Sequence, residues 1–316
     1  MSARNRLVGV TAIALLAAAP RPPAEQLVSN NGGVLTINVG QAPEAVLFDG
    51  AQVWVANQFS DTLTKIGIGG LTVIGGVRTG DGPIAMAFDG TSLWVANLHA
   101  NTVSKVNGAG GTVAGTFAVG RAPGALAFDG TNIWVANRNS DSVTKLRASD
   151  GSVVGTFPVG TRPTALAVYD QHVWVVNNRS NTVMKLRIGD GARVGTYRVG
   201  TAPFAIAFAG EDAWVTNFYD GSVTRLRASD GTVIGTYAVG DGAADVVFDG
   251  TNVWTANSGA DTVTALRPSD GQVVATVAVG RKPFGLEVTS VLGIKRVWVT
   301  SFGSNTVSVI DPRRVI

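Results

Sequence analysis

The chain has 316 residues, 45% of them hydrophobic and only 15% charged, with 40 glycines and no cysteine. That composition argues against disorder, coiled coils and helical bundles, and the absence of thiols excludes disulfide staples, thiolate metal sites and a cysteine nucleophile. The formal net charge is +3 and there are two histidines, so neither a nucleic-acid-binding charge excess nor a histidine-rich metal site is expected.

Residues 1–26 have the layout of a secretory signal. Arg4 and Arg6 form a basic start, residues 7–19 are an apolar run, and Ala17-Ala18-Ala19 supplies the small residues a signal peptidase prefers. The run is too short for a comfortable membrane span. The mature protein is therefore expected to be secreted, periplasmic or displayed at the cell surface, with no membrane span. Removing Arg4, Arg6, Arg21 and Glu25 takes the net charge from +3 to +1. Residues 27–33 read as an N-terminal linker and residues 34–316 as one domain.

That domain has a period of 40. Gly40, Gly80, Gly120, Gly160, Gly200, Gly240 and Gly280 follow one another without an insertion, and the seven tryptophans stand at 54, 94, 134, 174, 214, 254 and 298. The last tryptophan interval is 44, which places a four-residue insertion around residues 291–294. Each unit reads as four short strands. In the third, residues 125–128 form strand A, 133–136 strand B, 142–146 strand C and 153–159 strand D, with Asp129-Gly130 and Asp150-Gly151 as hairpin turns. Four strands in 40 residues make one blade of a β-propeller. The expected fold is thus all-β, a seven-bladed β-propeller with four antiparallel strands per blade. The seventh unit lacks strand D, and residues 34–40 match the missing strand, so the N-terminal strand is expected to close the last blade and leave no long free edge. The closed ring reads as a monomer.

Trp54-Val55-Ala56-Asn57 and its copies, with Ser304-Asn305-Thr306-Val307-Ser308-Val309-Ile310-Asp311, resemble the YVTN family of β-propeller repeats over about residues 34–311. The resemblance implies the propeller fold, and it spans enzymes, electron-transfer partners, surface-layer parts and binding scaffolds. A more distant resemblance is to the virginiamycin B lyases, which implies a lyase using Mg²⁺, a histidine and glutamates. The histidine of those lyases follows the proline that opens strand A, where this chain has Glu44, Ile84, Gly124, Thr164, Phe204 and Phe284. A lactonase of related propeller families has no assignable base either.

A residue that recurs in every unit belongs to the scaffold. The tryptophans are expected between blades, the asparagine after each strand B is expected to close a turn onto nearby backbone, and Lys65, Lys105, Lys145, Lys185 and Arg225 are expected at the periphery, as blade-covering stems or a partner-binding stripe. Function is sought where the repeats differ. The A–B and C–D hairpins look monotonous, whereas the D–A and B–C connections on the opposite face vary. Blades 3 and 4 place Arg121, Arg138, Arg162 and Arg179 there, and blades 5, 7 and 1 place Phe204, Phe218, Tyr219, Phe284, Phe302 and Phe59. Such a face suits a small anionic or aromatic ligand, a glycan or a protein, through arginine forks and stacking; the alternative is a set of solvated loops that diverged after duplication.

Glu44, Asp245 and Glu287 stand on three consecutive blades near the axis. Together they are candidates for Mg²⁺ or Ca²⁺, or for mutual pKa elevation; alternatively, Glu287 pairs with Lys295 or Arg296 and Asp245 caps an altered turn. The expected function is a binding or interaction scaffold acting through the varied face, with a metal-assisted hydrolase or lyase as the alternative.

Overall fold

The computed structural model describes residues 27–31, 33–108 and 110–316; the expected signal at 1–26 lies outside them. Within the described residues, seven antiparallel sheets form a seven-bladed propeller, each blade running A-B-C-D from the axis outward. In blade 3 the strands are Pro123–Phe128, Asn132–Asn137, Ser142–Arg147 and Val153–Pro158. Helix is confined among the described residues to one 3-10 turn, Pro312–Arg314.

Val34–Asn38 pairs with Thr306–Ile310 as strand D of blade 7, with Leu35 opposite Val309 and Ile37 opposite Val307. The ring closes as the repeat count requires. The segment read as a linker departs from expectation: Leu27–Asn31 adds a fifth strand antiparallel to Val34–Asn38, covering what would otherwise be an unpaired outer edge. The insertion in blade 7 lengthens its inner hairpin, Pro283–Val291 with Ile294–Ser301, around a turn in which Leu292 and Gly293 both have positive φ.

The core consists of seven inter-blade seams, each organised around one buried tryptophan. Trp94 of blade 2 packs with Leu126, Ile133 and Leu146 of blade 3, and Trp298 of blade 7 packs with Val46, Val53 and Ile66 of blade 1, which seals the closure. In four blades an aspartate also satisfies the indole N–H within its own hairpin. Trp54, Trp94, Trp134 and Trp254 donate to Asp49, Asp89, Asp129 and Asp249 at 2.7–2.8 Å, while the other oxygen of each aspartate caps the turn, as Asp129 does for Thr131 and Asn132.

Two scaffold expectations change. Four of the five strand C cations, Lys105, Lys145, Lys185 and Arg225, are inter-blade clamps rather than a peripheral stripe. Lys105, Lys145 and Lys185 lie 5.0–5.2 Å from the centroid of their own blade's tryptophan and donate to Ala148, Ile188 and Ala228 carbonyls of the next blade. Lys145 and Lys185 are buried, a position that only a paired cation tolerates. The asparagine after strand B bonds chiefly to strand C hydroxyls, not to turn backbone: Asn97 donates to Thr102 and Ser104, Asn137 to Ser142 and Thr144. It also explains the 40-residue glycine, since a Cβ on Gly80 would stand 2.7 Å from the Asn97 amide.

Candidate functional site

In all seven blades the register of strand A against strand B slips just after the opening proline, or after Ala243 in blade 6. A bulge there re-aims one side chain off the sheet. The re-aimed residues are Glu44, Ile84, Gly124, Thr164, Phe204, Ala244 and Phe284, and all seven line one cavity of about 150 Å³ at the mouth of the axial channel. A cavity of that size holds about one benzene-sized group.

Blade 3 is the exception in this ring, because Gly124 contributes no side chain. Arg138, from the B–C connection of the same blade, takes the vacant place. A Cβ on Gly124 would collide with the Arg138 guanidinium. Arg138 Nη2 donates to the Gly124 carbonyl at 3.3 Å, and the guanidinium lies 5.8 Å from the centroid of Phe204. Its Nε is buried and has no partner. Burial pulls the guanidinium pKa below its ordinary value, against the opposing influence of Glu44. Glu44 is half-buried across the same cavity; desolvation raises its carboxyl to about 6, against Arg138 and His99. No ion pair closes between Glu44 and Arg138.

Arg138 also joins the two halves of the varied face. With Arg121, Arg162 and Asn139 it borders two adjoining shallow depressions, the second of which also takes in Arg179 and Asp141. Phe204 meets Phe284 edge-on at 5.3 Å and Phe218 at 5.8 Å, and Phe218 meets Tyr219 at 5.6 Å. Phe59 and Phe302 form a separate edge-on pair at 5.6 Å. The basic and aromatic sectors therefore touch at Arg138 and Phe204, with Phe59 and Phe302 outside the cavity.

The face is held by loop-to-loop bonds that the sequence reading did not identify. The left-handed residue ending a B–C turn reaches the next D–A loop: Asp61 accepts from Gly82, Asn101 from Ala122, Asp141 from Arg162, Asn181 from Ala202, Asp261 from Lys282 and Asn305 from Ala42. At the blade 5–6 junction the corresponding residue is Gly221, which has no side chain to do this. His99 was also missed: it lies against Gly82, 3.2 Å from Asp81, and borders the first of the two arginine-lined depressions. The available signal was the glycine facing it in the adjoining loop.

The three acidic candidates do not form one metal centre. Glu44 is one residue after the start of strand A, Asp245 two and Glu287 four, so Glu44 and Glu287 differ by three residues, about 10 Å of depth at strand rise. Asp245 accepts from Val246 at 2.8 Å and from Leu286 of blade 7 at 2.7 Å. Glu287 accepts from Val288 at 2.8 Å and from Phe48 of blade 1 at 3.3 Å. Both carboxylates thus serve backbone N–H groups at blade seams. Burial raises each to about 7. Among the described residues no group of three or more His, Asp or Glu could hold a metal, so the donor set does not fit the Mg²⁺ or Ca²⁺ reading. The alternative pairing fails too: Lys295 reaches Asp249 at 3.5 Å, and Arg296 donates to the Ile68 carbonyl.

No family model matches the sequence, and no curated protein matches it. Among solved structures the chain is similar to hydrazine synthase of Kuenenia stuttgartiensis, at 17% identity over 85% of this chain and 95% of that one, with a TM-score of 0.75. It is also similar to a structure titled U3-55K, at 15% identity over 93% of this chain and all of that one, with a TM-score of 0.76. At these identities the likeness is one of fold.

Proposed function

We propose that this is an exported propeller of the YVTN type that acts by binding, and that the channel mouth on its D–A and B–C face holds a small anionic ligand against an aromatic wall. Arg138 is the observation that carries the reading. A guanidinium has five N–H donors in a fixed fork; here the side chain lines the cavity, one bond of 3.3 Å ties Nη2 to Gly124, and the buried Nε has no partner among the described residues. A buried donor left unpaired costs about 1–3 kcal/mol, and a carboxylate or phosphate oxygen would recover that cost through charge-assisted bonds. Arg121, Arg162 and Arg179 border the approach and raise the local concentration of anions. Phe204 and Phe284 offer the apolar surface on which the rest of the ligand rests.

Calorimetric titration with benzoate at low salt tests the reading. Binding to the wild type that weakens at least tenfold in Arg138→Ala supports it; equal affinity in the variant, at unchanged thermal stability, contradicts it.

A further inference from the structure

The cavity has chemistry at both ends of its aromatic wall, and the arginine accounts for only one. Glu44 projects from the strand A bulge of blade 1, whereas Arg138 fills the place of the missing side chain in blade 3, with Ile84 of blade 2 between them in the ring. A carboxylate and a guanidinium sharing a cavity ordinarily close an ion pair; these do not. Among the described residues the Glu44 carboxyl has no hydrogen-bond partner, whereas its backbone carbonyl accepts from Thr300 of blade 7. Asp245, the other carboxylate on this cavity, has a backbone N–H on each oxygen. Glu44 is therefore the acceptor available to a guest.

Resting on the anion-binding reading, we propose that the site selects a single aromatic ring bearing a carboxylate and, elsewhere on the ring, an N–H or O–H donor, and that Glu44 is the residue that reads the donor. Volume, charge and ring geometry agree on this class. The cavity of about 150 Å³ matches one six-membered ring. Phe204 and Phe284 cross at 87°, so a flat guest can stack on one ring while meeting the edge of the other. The ligand carboxylate takes the Arg138 fork, and Glu44 lines the same cavity without closing an ion pair to that arginine. A site whose acceptor has no partner of its own rejects the analogue lacking the donor more sharply than it rejects a change of size.

Competition calorimetry at pH 8, where Glu44 is ionised, with 3-aminobenzoate, 4-aminobenzoate and 4-hydroxybenzoate against benzoate and 4-methylbenzoate tests this. The better donor-bearing ligand is expected to bind wild type roughly tenfold more tightly than the methyl analogue, as one charge-assisted hydrogen bond implies. Glu44→Leu, which installs an aliphatic side chain like that of Ile84 at the same blade position, should collapse that ratio toward one while the protein unfolds at a wild-type temperature. Glu44→Gln retains an acceptor oxygen and should keep part of the preference. If benzoate binds through Arg138 but donor-bearing and methyl analogues bind equally, the role of Glu44 is overturned and anion binding stands. If neither benzoate nor its analogues bind at any concentration, the anion-binding reading falls and this one with it. A preference that survives Glu44→Leu assigns the donor to another group and overturns the proposal.

Discussion

Gly124 has no Cβ at the ring position where the other six blades place a side chain over the channel, and a Cβ there would meet the Arg138 guanidinium. The pair works as a unit: the glycine opens the place and the arginine occupies it. Gly124→Ala should therefore displace Arg138 toward solvent and weaken benzoate binding at least fivefold, by roughly 1 kcal/mol, with little loss of stability because a long side chain can swing outward. Fluorescence-monitored unfolding alongside the titration checks both halves of that outcome. Arg138 was visible in the sequence as a charged residue in a variable connection. Its inward turn was not, because that depends on a bulge and on an absent side chain 14 residues upstream, neither of which a residue type announces.

The hairpins show the same division between what repetition reveals and what contact decides. Asp-Gly pairs and alternating apolar residues located the strands to within one or two residues, since turn chemistry and pleat both act locally. The A–B hairpins read as uniform because all but the last keep one length, yet blades 4 and 5 have Tyr169 and Ala209 where blades 1, 2, 3 and 6 have aspartate. Tyr169 instead stacks on Phe208 at 4.2 Å, and the indole N–H groups of Trp174 and Trp214 are left buried without a partner among the described residues. In blade 7, Thr289 does the work of the aspartate for Trp298 at 3.0 Å. Ala209→Asp restores the Asp-Gly sequence before Gly210 and supplies the acceptor to Trp214. It should stabilise the protein by about 1 kcal/mol, the net worth of one recovered hydrogen bond, read as a higher urea midpoint at an unchanged m-value. A lower midpoint would mean that desolvating the new carboxylate outweighs the bond. The strand C lysines were misplaced for a related reason: their sequence positions are plain, but the carbonyls they reach belong to the next blade.

At the scale of the ring, sevenfold repetition made closure countable. A seventh unit without strand D, and an N-terminal segment that supplies it, required the pairing now seen between Val34–Asn38 and Thr306–Ile310. The metal grouping failed at this same scale, because neighbouring blades fix direction around the axis but not depth along it. What the three acidic residues do share is a pH signature. Glu44, Asp245 and Glu287 titrate at about 6, 7 and 7 in the fold against ordinary values of 4.5, 3.8 and 4.5. From about pH 4 to about pH 7 these three groups hold more protons in the folded chain than in the unfolded chain, so their contribution to stability falls as pH rises through that window, against the single opposing trend of His172, whose pKa burial lowers. Asp129, Asp150, Asp190, Asp230, Asp270 and Asp311 are shifted the opposite way, and their contribution is lost only as pH drops below the ordinary aspartate range. Melting temperatures should therefore decline between pH 5 and pH 8, and Asp245→Asn with Glu287→Gln should flatten the decline. A melting temperature that rises across that interval would contradict the assignment.

The most direct test of the binding site is the Nε–H resonance of Arg138 in a ¹⁵N spectrum of the arginine side chains, assigned by its disappearance in Arg138→Lys. On titration with benzoate this peak should shift to saturation, more than those of Arg121, Arg162 and Arg179, because the anion binds the guanidinium fork of which Nε is part. A saturating titration in which Arg138 stays fixed, or in which only the exposed arginines move, would contradict the account.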